Sequence, residues 1–209
     1  MNTSLATTTA YDKIAPRYSM VHFQPFWVKE FNFFKRAVPG RKIVDIGCGA
    51  GRDATVFVKH KFDYLGIDGS KGMLKVARRR VKQGKFRYVD FYKLHFPIRS
   101  FDGFWAAASL LHVPKNKIVR VLKGMGKILK SEGVGFISVK EKKKTSEALL
   151  PYPRNPGTYR YWSFCTKTEF ARALRKSGFR VIRFMKHLEP EVNGSKTTWL
   201  CFFVKNRLA

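Results

Sequence analysis

The sequence predicts an α/β fold, a mainly parallel sheet with helices on both faces, and three observations lead there. Short β-branched runs such as Ile43-Val44 and Ile46 alternate along the chain with apolar residues at helical spacing. The first run stops at a glycine cluster, Gly47, Gly49 and Gly51, before Ala54, Val56, Phe57 and Val58 begin a helix. An uncharged stretch from Gly103 to Val113 reads as a central strand, buried on both faces, with the turn beyond it.

The glycine bend is the element around which the rest is arranged. Strand, bare backbone and helix let a nucleotide-like ligand approach closely, because a Cβ at the bend would collide with it. Asp45 lies inside the first strand, where a carboxylate is costly unless paired or facing a ligand. Tyr64-Leu65-Gly66-Ile67 makes a second strand that ends at Asp68, where a ribose hydroxyl pair would be held.

The spacing separates two nucleotide-binding readings. A nicotinamide cofactor favours G-x-G-x-x-G, whereas here the third glycine comes one residue early. Asp45-Ile46-Gly47-Cys48-Gly49-Ala50-Gly51 resembles the first motif of the class I S-adenosylmethionine-dependent methyltransferases. Tyr11-Asp12-Lys13-Ile14-Ala15 with Arg17-Tyr18 is similar to the YDxxAxxY opening of small-molecule members, whose N-terminal helix closes over the cofactor.

The resemblance implies a Rossmann-like seven-stranded sheet in the order 3-2-1-4-5-7-6, its last strand antiparallel. It implies S-adenosyl-L-methionine as cofactor, S-adenosyl-L-homocysteine as product, and methyl transfer to an oxygen or nitrogen of a small molecule. By the same resemblance, Asp45, Ile46, Gly47, Cys48, Gly49, Gly51, Asp68, Gly69, Met73, Asp90, Phe91, Ala106, Ala107 and Tyr18 would surround the cofactor. Met73 would serve equally as plain helix packing. Tyr11, Ser109, Tyr161 and Trp162 are the corresponding candidates for the acceptor side.

The reaction centre is expected where the central strand ends, at Ala106-Ala107-Ala108-Ser109. Relatives that methylate adenine carry Asn-Pro-Pro-Tyr there, and RNA cytosine enzymes carry a cysteine after proline. Neither pattern is present. His112 is the titratable side chain in this apolar stretch, and a neutral imidazole would take a proton from a hydroxyl or amine. A histidine here also serves as a structural cap in related enzymes.

The remaining elements follow in order. Residues 11–38 read as a helical prelude in which Pro25 precedes Phe26, Trp27, Phe31 and Phe34, a stripe read as core packing. Met73, Leu74, Ala77 and Val81 mark a helix with Arg78, Arg79 and Arg80 on its wet side, and Phe86 to Val89 a third strand. Ile118 to Leu129 carry an amphipathic helix, Lys130-Ser131-Glu132-Gly133 a turn, and Val134 to Val139 a fifth strand. Pro151, Pro153, Pro156 and Gly157 argue against regular structure over residues 140–160, read as a substrate lid. Thr166-x-x-Glu169 is a capping box opening a helix that Gly178 ends, and a final hairpin turns at Asn193-Gly194.

One domain is expected: a helical lid over 1–38, a cofactor core over 39–139, a substrate insert over 140–165, and a helix and hairpin over 166–209. The three cysteines lack C-x-x-C spacing, so neither metal nor a disulfide framework is expected. No apolar run would span a bilayer and the opening MNTSLATTTA has no secretory features, so the expected location is the cytoplasm, as monomer or homodimer. With 42 basic and 14 acidic residues the net charge is +28, a field that attracts RNA or another polyanion. The alternative source of that charge is a lysine-rich proteome.

Overall fold

A computed structural model describes residues 3–23, 26–152, 155–190 and 196–206. Pro25, Pro153 and the Asn193-Gly194 turn lie outside the described residues. The chain forms a seven-stranded sheet in the order β3-β2-β1-β4-β5-β9-β8. Strands β1 (Lys42–Ile46), β2 (Asp63–Asp68), β3 (Lys85–Tyr88), β4 (Phe101–Ala107) and β5 (Leu129–Lys140) pair in parallel. β9 (Lys196–Asn206) runs antiparallel between β5 and β8 (Phe179–Pro190). The expected order 3-2-1-4-5-7-6 is therefore present, with β8 and β9 in the last two places. The sequence also holds a separate hairpin, β6 (Glu147–Pro151) and β7 (Tyr159–Ser163).

Both faces of the sheet are covered, and side chains alternate between them with period two. Val44, Phe104, Ile137 and Phe202 pack with Ile118, Val121, Leu122 and Met125 of α5 (Lys115–Ile128) and Phe170 and Leu174 of α6 (Lys167–Lys176). Their neighbours Ile43, Trp105, Phe136 and Phe203 pack on the other side. There they meet Phe31 and Phe34 of α2 (Val28–Ala37), Phe57 of α3 (Ala54–Lys59), and Leu74 and Ala77 of α4 (Lys71–Arg80). The aromatic stripe of α2 is thus core, as its spacing implied. Trp105 stacks on Phe136 at 3.9 Å between ring centroids.

Four local expectations are corrected. The first helix, α1 (Thr3–Val21), begins well before Tyr11, in a Thr-rich stretch without apolar periodicity. Residues 140–160 hold the β6–β7 hairpin, because Pro151 sits at a strand end where no ladder donor is needed. Lys130 to Gly133 fall inside β5 as an irregularity: Phe101 pairs with Leu129 and Gly103 with Val134, so the intervening segment bulges. Arg78 and Arg80 are not merely solvated. Arg78 donates to the Phe86 carbonyl at 3.1 Å, and Arg80 reaches the Ser19 carbonyl at 2.7 Å and the Phe23 ring.

Two caps fix α1 and α6 to the rest. Asp12 on α1 accepts from Ser70 Oγ and from the Gly72 N–H, both at 2.7 Å, and so ties α1 to the start of α4. The Thr166–Glu169 capping box is complete, and Gly178 follows α6 at φ 91°. Among the described residues no helix is long and apolar enough to cross a membrane.

Candidate active site

The carboxyl ends of β1, β2 and β4 open into a cavity of about 130 Å³, roofed by α1. At the bend, Gly47, Gly49 and Gly51 adopt φ of 80°, 55° and 82°, a region that L side chains occupy at a cost. The N–H groups of Gly47 and Cys48 both donate to the Ile67 carbonyl, at 2.8 and 3.0 Å, which pins the bend to β2. A Cβ placed on Gly49 would meet no protein atom within 4 Å, so its bare face is turned to the cavity it lines.

Three acids stand around this bend, each held differently. Asp45 is buried and accepts from Tyr64 Oη at 2.7 Å; burial, then the nearby Asp53, hold its carboxyl well above the usual range. Asp68 accepts from the Gly49 N–H through one oxygen and from the Ser70 N–H through the other, both at 2.8 Å. Burial raises its pKa to about 6 despite those bonds. Asp53 grips Arg52 at 2.8 and 3.3 Å and accepts from Trp105 Nε1 at 2.9 Å.

The opposite end is built from α1 and the segment after β4. Ser109, 5% exposed, presents an Oγ with no hydrogen-bond partner at the cavity wall. His112 Nδ1 lies 2.6 Å from the Tyr161 carbonyl and Nε2 lies 2.9 Å from Tyr11 Oη. A carbonyl only accepts, so Nδ1 carries the proton and Nε2 accepts from the tyrosine. Arg160 of β7 donates to the same Tyr11 oxygen at 3.2 Å. Tyr18 packs edge-on against Tyr11 and completes this wall.

Burial depresses the His112 pKa to about 3, below its ordinary 6.5. Between those values the unfolded chain binds a proton that the folded chain does not. The stability due to the neutral imidazole is present above pH 6.5 and falls as the pH drops toward 3. In urea titrations, His112→Gln should reduce the loss of stability between pH 7 and pH 5 by about 2 kcal/mol. An equal loss in wild type and variant would contradict that burial effect.

Of the residues singled out from sequence, the cavity brings together Asp45, Gly47, Cys48, Gly49, Asp68, Gly69, Met73, Phe91, Ala107, Tyr18, Tyr11, Ser109 and His112. Met73 fills both of its readings, since it also packs on Ala15, Ala50 and Val76. The others stand elsewhere. Ile46 and Ala106 point into the core and are fully buried. Gly51 faces Ala77 of α4 and Val81 just beyond that helix. Asp90 is exposed and accepts from the Tyr92 N–H of its own turn at 2.9 Å. The Tyr161 phenol turns to Glu147, and Trp162 stands behind His112 at 5.1 Å between ring centroids.

Sequence reasoning missed Thr7, Thr8 and Ser19 of α1 and His22 just beyond it, together with Ala50, Arg52, Asp53 and Ala108. An Arg-Asp pair directly after the glycine bend was a usable signal for two of them. The threonines carried none, because their half of α1 lacks apolar periodicity.

This sheet order, the bend after β1 and an acid at the tip of β2 are the arrangement of the class I S-adenosylmethionine-dependent methyltransferases, which the chain resembles. Residues 43–133 match the family model described as a methyltransferase domain. The chain is 28% identical over 186 residues to the demethylmenaquinone methyltransferase of Thermotoga maritima, covering 84% of this chain and 76% of that one. An O-methyltransferase of Pyrenophora dematioidea is 35% identical over 100 residues, 42% of this chain and 38% of its own.

Among solved structures, a methyltransferase from Methanosarcina mazei superposes with a TM-score of 0.75 at 17% identity, covering 89% of this chain and all of its own. The 1,6-didemethyltoxoflavin N1-methyltransferase of Burkholderia thailandensis, solved with bound S-adenosylhomocysteine, does so at 0.67 and 20%, covering 84% and 75%. At these identities the structures speak for the fold.

The residues present fit S-adenosylmethionine. Gly49 leaves a bare face toward the cavity, and Ser109, whose buried oxygen has no protein partner, lines the same space.

Proposed function

We propose that the chain methylates an oxygen or nitrogen of a small, largely planar molecule. The observation that carries this reading is the wall of Tyr11, Tyr18 and His112 facing the glycine bend across one cavity. S-adenosylmethionine supplies an already activated methyl group, so the protein's task is chiefly alignment and exclusion of water, worth about 7–11 kcal/mol.

In this reading, Asp68 holds the ribose hydroxyls, Phe91 flanks the adenine, and the backbone from Gly47 to Gly49 admits the rest of the cofactor. Tyr11, Ser109 and His112 face the acceptor. Residues 1–38 act as a lid and 140–165 as the substrate element, joined through Arg160, Tyr11 and the Tyr161 N–H, which donates to Thr7 Oγ1 at 3.0 Å. The relatives named for demethylmenaquinone and O-methylation favour a ring-borne acceptor.

Incubating purified protein with methyl-labelled cofactor and fractionated cell extract tests this. Label should enter the small-molecule fraction; label confined to RNA or protein would overturn it. A second reading rests on charge. Every described Asp and Glu already has a hydrogen-bond partner, which leaves a +28 chain with few carboxylates to offset its cations. If that surface serves RNA in the cytoplasm, log K for tRNA falls linearly with log salt; flat dependence would remove it.

A further inference from the structure

Arg160 is a guanidinium with no counter-ion among the described residues. Among the described residues no carboxylate pairs with it, and its Nε–H is buried with no hydrogen-bond partner. Tyr11, Tyr152 and Trp162 surround it, with ring centroids 5.4, 4.7 and 5.0 Å from the guanidinium carbon. Arg52, the other half-buried arginine near the site, differs in kind: Asp53 neutralises it with two bonds. Aromatic faces stabilise a cation but do not cancel its charge. Its field therefore falls on Tyr11 Oη, 3.2 Å away on the cavity wall.

The second observation is Ser109. Its hydroxyl is buried, lines the same cavity and bonds to nothing in the protein. A buried polar atom left so costs about 1–3 kcal/mol unless a ligand satisfies it. The third is that His112 does not serve as a base, which leaves the exposed His22 as the cavity's other imidazole. His112 already donates through Nδ1 and accepts through Nε2, and burial makes it a weak base. Burial likewise keeps the Tyr11 phenol protonated. Asp45, Asp53 and Asp68 stand at the glycine end, each with partners of its own.

We propose that the acceptor is a ring-borne acidic hydroxyl bound as its oxyanion, a phenolate or enolate, by Ser109 Oγ and by Tyr11 Oη, whose one proton turns to it from His112 Nε2, with the Arg160 charge behind them. This rests on the reading of the cavity as the methyl-acceptor site. The hydroxyl proton goes to solvent on binding. An oxygen lone pair then forms the O–CH₃ bond as the C–S bond breaks, and that bond's electron pair stays on sulfur. Negative oxygen and positive sulfur both become neutral, and no proton remains to be removed. An alcohol acceptor would need a base, a part His112 does not play, and an ammonium would be repelled by the Arg160 charge. Arg160 acts on the acceptor largely through Tyr11, as a positioning residue.

The test uses 4-nitrophenol, coloured only as its phenolate, titrated into protein saturated with S-adenosylhomocysteine. One pH unit below its free pKa about a tenth of the probe is ionised; bound to wild type, about half or more should be. Arg160→Met should return the bound probe to about a tenth, while Arg160→Lys keeps part of the shift. Ser109→Ala should weaken probe binding about tenfold with no fall in melting temperature.

No binding to wild type, or an undiminished phenolate fraction in a folded Arg160→Met, would overturn the proposal. So would tighter binding of 4-nitrobenzoate. Should Arg160→Met fail to fold, unchanged probe affinity in Ser109→Ala overturns it. Calorimetry with S-adenosylhomocysteine alone separates the two failures: if wild type does not bind it, the cofactor reading falls first.

Discussion

Asp68→Asn is expected to weaken S-adenosylhomocysteine binding at least 100-fold while leaving thermal stability little changed. The carboxylate accepts one N–H from Gly49 and one from Ser70, and so joins the bend to the start of α4. An asparagine has one accepting oxygen; its amide would meet the second N–H donor to donor. A hydrogen bond to a charged group contributes about 1.5–3 kcal/mol, and in this reading each of the two ribose hydroxyls would lose one. Two such losses give the 100-fold figure at about 1.4 kcal/mol per decade. Stability moves less, because the neutral amide avoids the cost of burying a charge.

The same residue sets a pH dependence. Burial lifts Asp68 to about 6, and hydroxyl donors bind the ionised form, so wild-type affinity should fall about tenfold per unit below pH 6. The variant's profile should be flat there. For folding of the protein alone the sign is opposite. The folded chain binds the proton more tightly than the unfolded one, so this group's contribution is present below about 4 and lost as pH rises through about 6. Isothermal titration from pH 5 to 8 measures the first effect; matching affinities in wild type and variant would remove Asp68 from the site.

Gly47→Ala should lower the melting temperature by roughly 10 °C and abolish cofactor binding. At φ 80° an alanine pays about 1–3 kcal/mol of backbone strain. Its Cβ would lie 2.4 Å from Ser109 Cβ, a distance that forces the segment after β4 to move. Together these amount to roughly 2–4 kcal/mol, and at this size each kcal/mol shifts the midpoint by about 2–4 °C. Moving that segment also moves Ser109 and His112. A variant melting with wild type by calorimetry would show that the bend relaxes freely.

Much of this site was legible because its signals are local. The alternation at Ile43-Val44, the glycine spacing and the acids closing two strands need only neighbouring residues to be read. Asp90 shows the limit of such reasoning: it follows a strand as Asp68 does, yet bonds its own turn and faces solvent. Whether a strand-end acid reaches a cavity depends on how far its strand extends relative to its neighbours, and β3 is a short edge strand.

By itself the sequence determined the strands of the main sheet, their likeness to a cofactor-binding core, and the backbone freedom at the bend, since propensity, period and φ are properties of adjacent residues. Tertiary structure alone decided which partners His112 and Arg160 would have. Their chemistry comes from Tyr11 on α1 and from the β6–β7 hairpin, far away in the chain, and a proton or a charge is tuned only by what packing brings within a few ångströms of it.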